Sequence, residues 1–279
     1  MSVILASLSA LCYGAADFSG GYASRATKVH AVLFWSQLVG LAAAALASPL
    51  VGPNGPSLAD LGWGAAAGLS GVLGLAALYH GLARTVVAVV SPAAAVVGAA
   101  VPLLFGVLSG ERPGVAAWVG VVAAVPALLL LTTSRAQGTD RKAVRRAALI
   151  GVAAGGAFGA FFIMISRPAP AAGLWPLVAA RVASLAALLG YASLGARPLR
   201  LERPGAAAAL AAGALDMAAN VLFVLAARAG LLSVATVVTS LYPAPTVLLA
   251  RLFLGERLTA GRVAGMLLAL AAVALMSAG

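Results

Sequence analysis

The sequence predicts an all-α polytopic membrane protein, with ten transmembrane helices arranged as two inverted five-helix repeats. Three observations carry this. Apolar runs follow one another with short breaks, charges are scarce and gather at the ends of those runs, and two local patterns recur at one fixed offset.

Of 279 residues, 63% are hydrophobic and 9% are charged. An ordinary soluble domain carries roughly a quarter charged residues, so a water-soluble fold has no means of hiding this much apolar surface. Hydrocarbon about 30 Å thick needs roughly 20 apolar residues per spanning helix. Breaks at charge, Pro and Gly place helices at 3–22, 30–50, 61–82, 86–108, 115–131, 147–165, 174–194, 206–227, 231–254 and 262–276. Ala and Leu dominate these runs, and the runs are about twice the length of a barrel strand, which argues against a transmembrane barrel.

The net charge of +11 does not point to nucleic acid. The Arg and Lys residues stand singly or in small groups beside apolar runs, as membrane-anchoring loops require. The solitary Cys12 has no disulfide partner and no neighbours at metal-ligand spacing, so redox and metal chemistry are not expected. The first apolar run lacks a basic leader and continues past Asp17 without a cleavage pattern, so it is expected to remain as a helix.

The longest polar stretch, 132–146, divides the chain into halves 1–131 and 147–279. Leu108-Ser109-Gly110-Glu111-Arg112 closes the fourth run and Leu254-Gly255-Glu256-Arg257-Leu258 closes the ninth, 145 residues later. At the same offset Tyr13-Gly14-Ala15 falls on Phe158-Gly159-Ala160. Two matches at one spacing argue for duplication. With an odd number of spans per half, the second copy enters the membrane from the opposite side, the inverted repeat of many secondary transporters.

Ten short helices in two halves, each closing its fourth helix with Gly-Glu-Arg, and an early Gly14-x-x-Asp17-Phe18 stretch resemble the drug/metabolite transporter superfamily and its EamA-type exporters. The resemblance implies a central cavity lined by helices 1, 3, 4, 6, 8 and 9, halves that rock to alternate access, and no cofactor or ATP. It also implies both termini in the cytoplasm. That would put the basic 132–146 linker, Arg25, Lys28, Arg197, Arg200 and Arg203 outside, against the positive-inside rule.

An ionisable side chain within a span costs at least about 2.5 kcal/mol on insertion scales, so each one is a candidate for function. Asp17 in helix 1 and Asp216 in helix 8 should lie within one or two turns of the same depth and face one cavity. Gly14, Gly20 and Gly21 clear the face around Asp17 for a ligand or another helix. Asn220 stands four residues from Asp216 on one helix face, with Gly213 and Phe223 along the same stripe. That set suits an amine, and equally a structural pair in which Asn220 satisfies Asp216. Gln37 and Arg181 occupy nearly corresponding places in the two halves. Arg181 fits a partner in Asp216, Asp17 or a substrate carboxylate, or a snorkelling position.

Tyr13, Tyr79 and Tyr242 add polar rings, and His80 titrates in the physiological range or rests among headgroups. Gly64, Gly68, Gly71 and Gly74 form a small-residue stripe for close helix packing. Pro92 and Pro102 in helix 4, with Pro243 and Pro245 in helix 9, are expected to break helical hydrogen bonds and line a cavity or gate. Glu111 and Glu256 are read as complementing the dipole of the helix that follows each, with a gating ion pair as the second reading.

The leading expectation is a secondary transporter exporting a small amine-bearing or amphipathic, amino-acid-like metabolite or drug by proton antiport. The alternative is uptake or exchange of a cationic nutrient, such as a quaternary amine, without proton coupling. Expected partners are the small-molecule substrate, protons and the lipid bilayer, in a prokaryotic plasma membrane, as a monomer or homodimer. With only His30 and His80, and neither within a catalytic constellation, an enzyme is not expected.

Overall fold

The computed structural model describes residues 1–51, 55–110, 112–133, 140–229, 238–239, 241–256 and 258–278. Among these residues the chain forms ten α-helices and one 3-10 turn, and no strand. The helices are α1 (Ser2–Ala26), α2 (Val29–Val51), α3 (Leu58–Arg84), α4 (Val87–Leu108) and α5 (Val115–Thr133), then α6 (Arg141–Ile165), α7 (Trp175–Leu194), α8 (Arg203–Arg228), α9 (Pro243–Leu254) and α10 (Ala260–Ala278). By length and composition α1, α2, α3, α4, α6, α7 and α8 are long and apolar enough to cross a membrane, while α5, α9 and α10 are shorter apolar helices.

The helix ends follow local chemistry. Ser57 and Asp60 form a reciprocal capping box at the start of α3, satisfying two backbone donors that have no partner within the helix. Asp140 accepts from the Lys142 amide at 3.0 Å and starts α6 inside the stretch read as linker. Pro176 and Pro204 stand in the first turns of α7 and α8, where a missing N–H is harmless. Gly255 ends α9 with φ +65°, a left-handed cap that a side chain would strain.

Two expectations need correction. Pro92 and Pro102 sit inside an α4 that remains one helix. Pro243 stands in the first turn of α9, so it begins a regular helix and does not break one. Before it, i to i+3 turns close Leu241, Tyr242 and Ala244 onto Val238, Thr239 and Leu241. Residues 231–237 of the expected span, with Glu111 and Arg257 of the repeated motif, lie outside the described residues.

Helix directions follow from which residues meet. Ser2 Oγ donates to Ala226 O and Ser9 Oγ to Ala219 O, each at 2.8 Å, and the Glu202 amide reaches Thr27 at 3.3 Å, so α1 and α8 are antiparallel. α3 and α6 are also antiparallel, with Asp60 by Ala169, Ser70 by Ala157 and His80 by Arg146. α4 runs parallel to α6 through Ala93 at Gly151 and Val101 at Gly159. α9 runs parallel to α1 through Thr246 at Gly14 and Phe253 at Phe18.

The packing repeats when the halves are exchanged. Gly120 of α5 meets Met276 of α10, and Gly265 of α10 meets Leu131 of α5, both residues of each pair shifting by 145. Gly159 faces Val101 as Gly14 faces Thr246. Gly68 lies on the Ala180 carbonyl of α7, and Gly213 lies on the Ser36 carbonyl of α2. The rest of the α3 stripe behaves as its spacing predicts: Gly64 meets Pro176, and Gly71 and Gly74 meet Phe161 and Phe158 of α6.

At Gly68 and Gly213 a side chain would overlap the backbone of the facing helix. Gly213→Val is expected to lower stability by about 1–3 kcal/mol through overpacking. Gly62→Ala, with nothing within 4 Å, is the control. Thermal unfolding in detergent reads both; equal midpoints would remove the close-packing argument.

Candidate functional site

A set of polar side chains, one buried and the others partly buried, converges from three of these apolar helices. Gln37 of α2 is 2% exposed. Arg181 of α7 donates from Nη1 to Gln37 Oε1 at 2.7 Å and forms an ion pair through Nη2 with Asp216 of α8. Asn220, one turn further along α8, donates to the Asp216 carbonyl at 2.8 Å and to its carboxylate at 3.3 Å. Asp216 therefore holds an arginine and an amide. Its pairing with Arg181 selects one of the partners left open by sequence, and it excludes the snorkelling position.

Gly40 makes room for this arrangement, and sequence reasoning passed over it. An added Cβ there would lie 3.4 Å from Arg181 Nε and 3.6 Å from Cζ, so the guanidinium rests over a bare stretch of α2. The available signal was its position three residues after Gln37, on the same helix face. Arg181 Nε is buried without a hydrogen-bond acceptor among the described residues.

Asp17 of α1 is 8% exposed and has neither a hydrogen bond nor an ion pair among the described residues. The α1/α8 register sets Asp216 level with Cys12, five residues or about 7.5 Å of rise from Asp17. The two carboxylates remain within electrostatic reach of each other. Tyr13 is within reach of Asp17, Asp216, Arg181 and Tyr242, and Tyr79 is within reach of both aspartates and Arg181.

Helices occupy the clearings around Asp17. Gly14 receives Pro245 and the Tyr242 carbonyl, Gly20 receives the Tyr79 ring and Gly21 receives Leu82. Tyr79, 1% exposed, thus seals the side of α1 next to Asp17. Tyr13 meets Tyr242 edge-on with ring centroids 6.3 Å apart. His80 does not join this cluster: it lies at the end of α3, 3.3 Å from an Arg146 guanidinium nitrogen.

Glu256 also departs from its reading. Its carboxylate accepts from the Ala88 amide of α4 at 3.1 Å, and so caps a helix of the other half, not the helix that follows it. Val86, the residue at the cap position of α4, has no side-chain oxygen to serve there. Burial pushes the Glu256 carboxyl above its ordinary range, while the α4 amides and the charge of Arg262 act in the opposite sense.

An apolar groove of about 830 Å³ opens elsewhere, between the end of α2 and the starts of α3 and α7, lined by Pro49, Pro56, Leu61, Ala65, Trp175 and Val178 among others. It contains none of the predicted site residues.

Comparison with known proteins agrees with the duplicated helical plan. No curated protein matches the sequence. Of twelve solved chains that match in fold, one crystal structure has 15% sequence identity and a TM-score of 0.64 over 98% of this chain and 95% of its own. The model of the EamA-like transporter family matches twice, over residues 1–133 and 145–278. The two matches span both halves whose contacts exchange at 145 residues, and the chain belongs to the EamA-like transporter family.

Proposed function

We propose that the chain is a ten-span secondary active exporter built as an inverted repeat of halves 1–131 and 147–279, with 132–146 between them, in a prokaryotic plasma membrane. Its substrate is a small amine-bearing or amphipathic, amino-acid-like molecule exchanged for protons. The paired contacts support the architecture, because α1 and α6 run in opposite directions through their shared neighbours. An internally duplicated chain forms its own interhelical site, so a monomer suffices.

One observation carries the functional reading: a buried carboxylate with no partner among the described residues, near a partly buried ion pair that already has one. With Asp216 and Arg181 neutralising each other, the cluster carries one net negative charge when Asp17 is ionised. It is neutral when Asp17 holds a proton, or when an ammonium lies against the Asp17 carboxylate. An uncompensated charge within a span is costly, so the empty ionised site resists the change of conformation that would carry it across. Proton and ammonium then compete for one carboxylate. Binding of R–NH3+ to Asp17–COOH releases one proton and leaves an ion pair, the differential binding that couples the two fluxes.

The test is proton release from the solubilised protein on adding a panel of amines, amino acids and cationic dyes. Wild type is expected to release protons with at least one class, and Asp17→Asn is expected to release none. Binding without proton release in wild type would end the antiport reading and favour an uncoupled exchanger of cations. Unchanged release from Asp17→Asn would move the exchanging group elsewhere.

A further inference from the structure

The helix directions sort the charges onto two ends of the bundle. At one end lie Met1, the α2/α3, α4/α5 and α6/α7 connections, and the end of α10. The described basic residues there are Arg112 and Arg167, and the backbone of Arg228 ends α8 on the same side. The other end holds all remaining described cations except the interior Arg181. Four of them, Arg141, Lys142, Arg145 and Arg146, fall within the first two turns of α6, and the α1/α2 and α7/α8 connections supply others. The described acidic residues at that end are Asp140, Glu202 and Glu256, so the surplus is strongly positive.

Within this end, Arg146 of α6 lies 3.3 Å from His80 Nε2 of α3, and Arg84 follows His80 by one helical turn. Neither arginine has a carboxylate partner among the described residues. Basic groups that converge without an acidic partner match the phosphate of a lipid headgroup, and the ends of α3 and α6 place them where headgroups begin.

We propose that this basic end is the cytoplasmic surface of the protein, seated on the anionic headgroups of the inner leaflet, and that both termini lie outside. Two physical effects act in the same direction. Cationic loops are retained on the cytoplasmic side during insertion, and the anionic inner leaflet then attracts cations close to it. The result is opposite to the orientation implied by the family resemblance. It places the Glu256 cap on α4 at the cytoplasmic end. The inference rests on the ten-span reading.

The experiment uses the full chain in cells, with Cys12→Ser in every variant and one new cysteine each: Ser2→Cys, Lys142→Cys, or a cysteine appended after Gly279. A membrane-impermeant maleimide is applied before and after permeabilisation. The terminal cysteines are expected to label on intact cells, and the Lys142→Cys variant only after permeabilisation. Terminal cysteines that are both protected on intact cells would overturn the orientation and leave ten spans standing. Termini on opposite sides would overturn the ten-span reading itself, and equal labelling at all sites would mean insertion in both directions, which also overturns the proposal. Arg84→Gln with Arg146→Gln is expected to reduce co-purified anionic lipid in native mass spectrometry. Unchanged retention would remove the headgroup site.

Discussion

Arg181→Ala is expected to destabilise the folded protein by about 1.5–3 kcal/mol, the range for losing a hydrogen bond to a charged group, since the ion pair is partly buried with its side chains 12% and 19% exposed. The loss has two parts. Asp216 stays partly buried and keeps its Asn220 contact but loses the one full positive charge it pairs with among the described residues, and Gln37 loses the donor to its side-chain oxygen. Thermal unfolding in detergent reads the effect as a large fall in the midpoint. Adding Asp216→Asn is expected to restore much of the stability, because the stranded charge disappears with its partner. A double variant as unstable as the single one would show that the arginine acts through packing of its stem, not through charge.

Asp17→Asn is expected to have the opposite profile, with stability kept and coupled transport lost. The amide has nearly the shape of a protonated carboxyl, and no described donor loses an acceptor when the charge is removed. A substrate ammonium loses a charge-assisted hydrogen bond worth about 1.5–3 kcal/mol, so amine affinity should fall roughly ten- to a hundredfold, and substrate flux should no longer respond to a proton gradient. Transport into vesicles under imposed pH gradients measures both. A variant that still accumulates substrate against a gradient would sink the assignment of Asp17 as the exchanging group. The two substitutions also separate the aspartates: the role argued for Asp216 is structural through Arg181, and the role argued for Asp17 is exchange.

Much of this was legible along the chain because it depends on local patterns. Apolar length predicted the helices, since a backbone in hydrocarbon must satisfy its own hydrogen bonds. The Gly-Glu-Arg and Tyr13-Gly14-Ala15 correspondences predicted the 145-residue offset at which contacts such as Gly120 with Met276 and Gly265 with Leu131 exchange. Asp17, Asp216, Asn220, Gln37 and Arg181 stood out because polar groups are rare within apolar runs. The small-residue stripe of α3 predicted close contact with other helices.

What the chain could not reveal was which partner each group takes, because that depends on approach between helices distant in sequence. Arg181 fitted several partners equally until α7 and α8 were both packed against α2. The glycines around Asp17 allowed a ligand or a helix, and Tyr79, Leu82 and Pro245 fill that space. Glu256 was read with its neighbour in sequence, yet caps α4 in the other half, because an α-helix leaves its first amides exposed to any acceptor that packing brings there. Composition and periodicity therefore determined that this protein is a bundle of membrane helices with a duplicated plan and a few buried charges. Tertiary packing alone decided that Asp216 is compensated while Asp17 has no partner among the described residues, since a buried charge takes its meaning from what lies within a few ångströms of it.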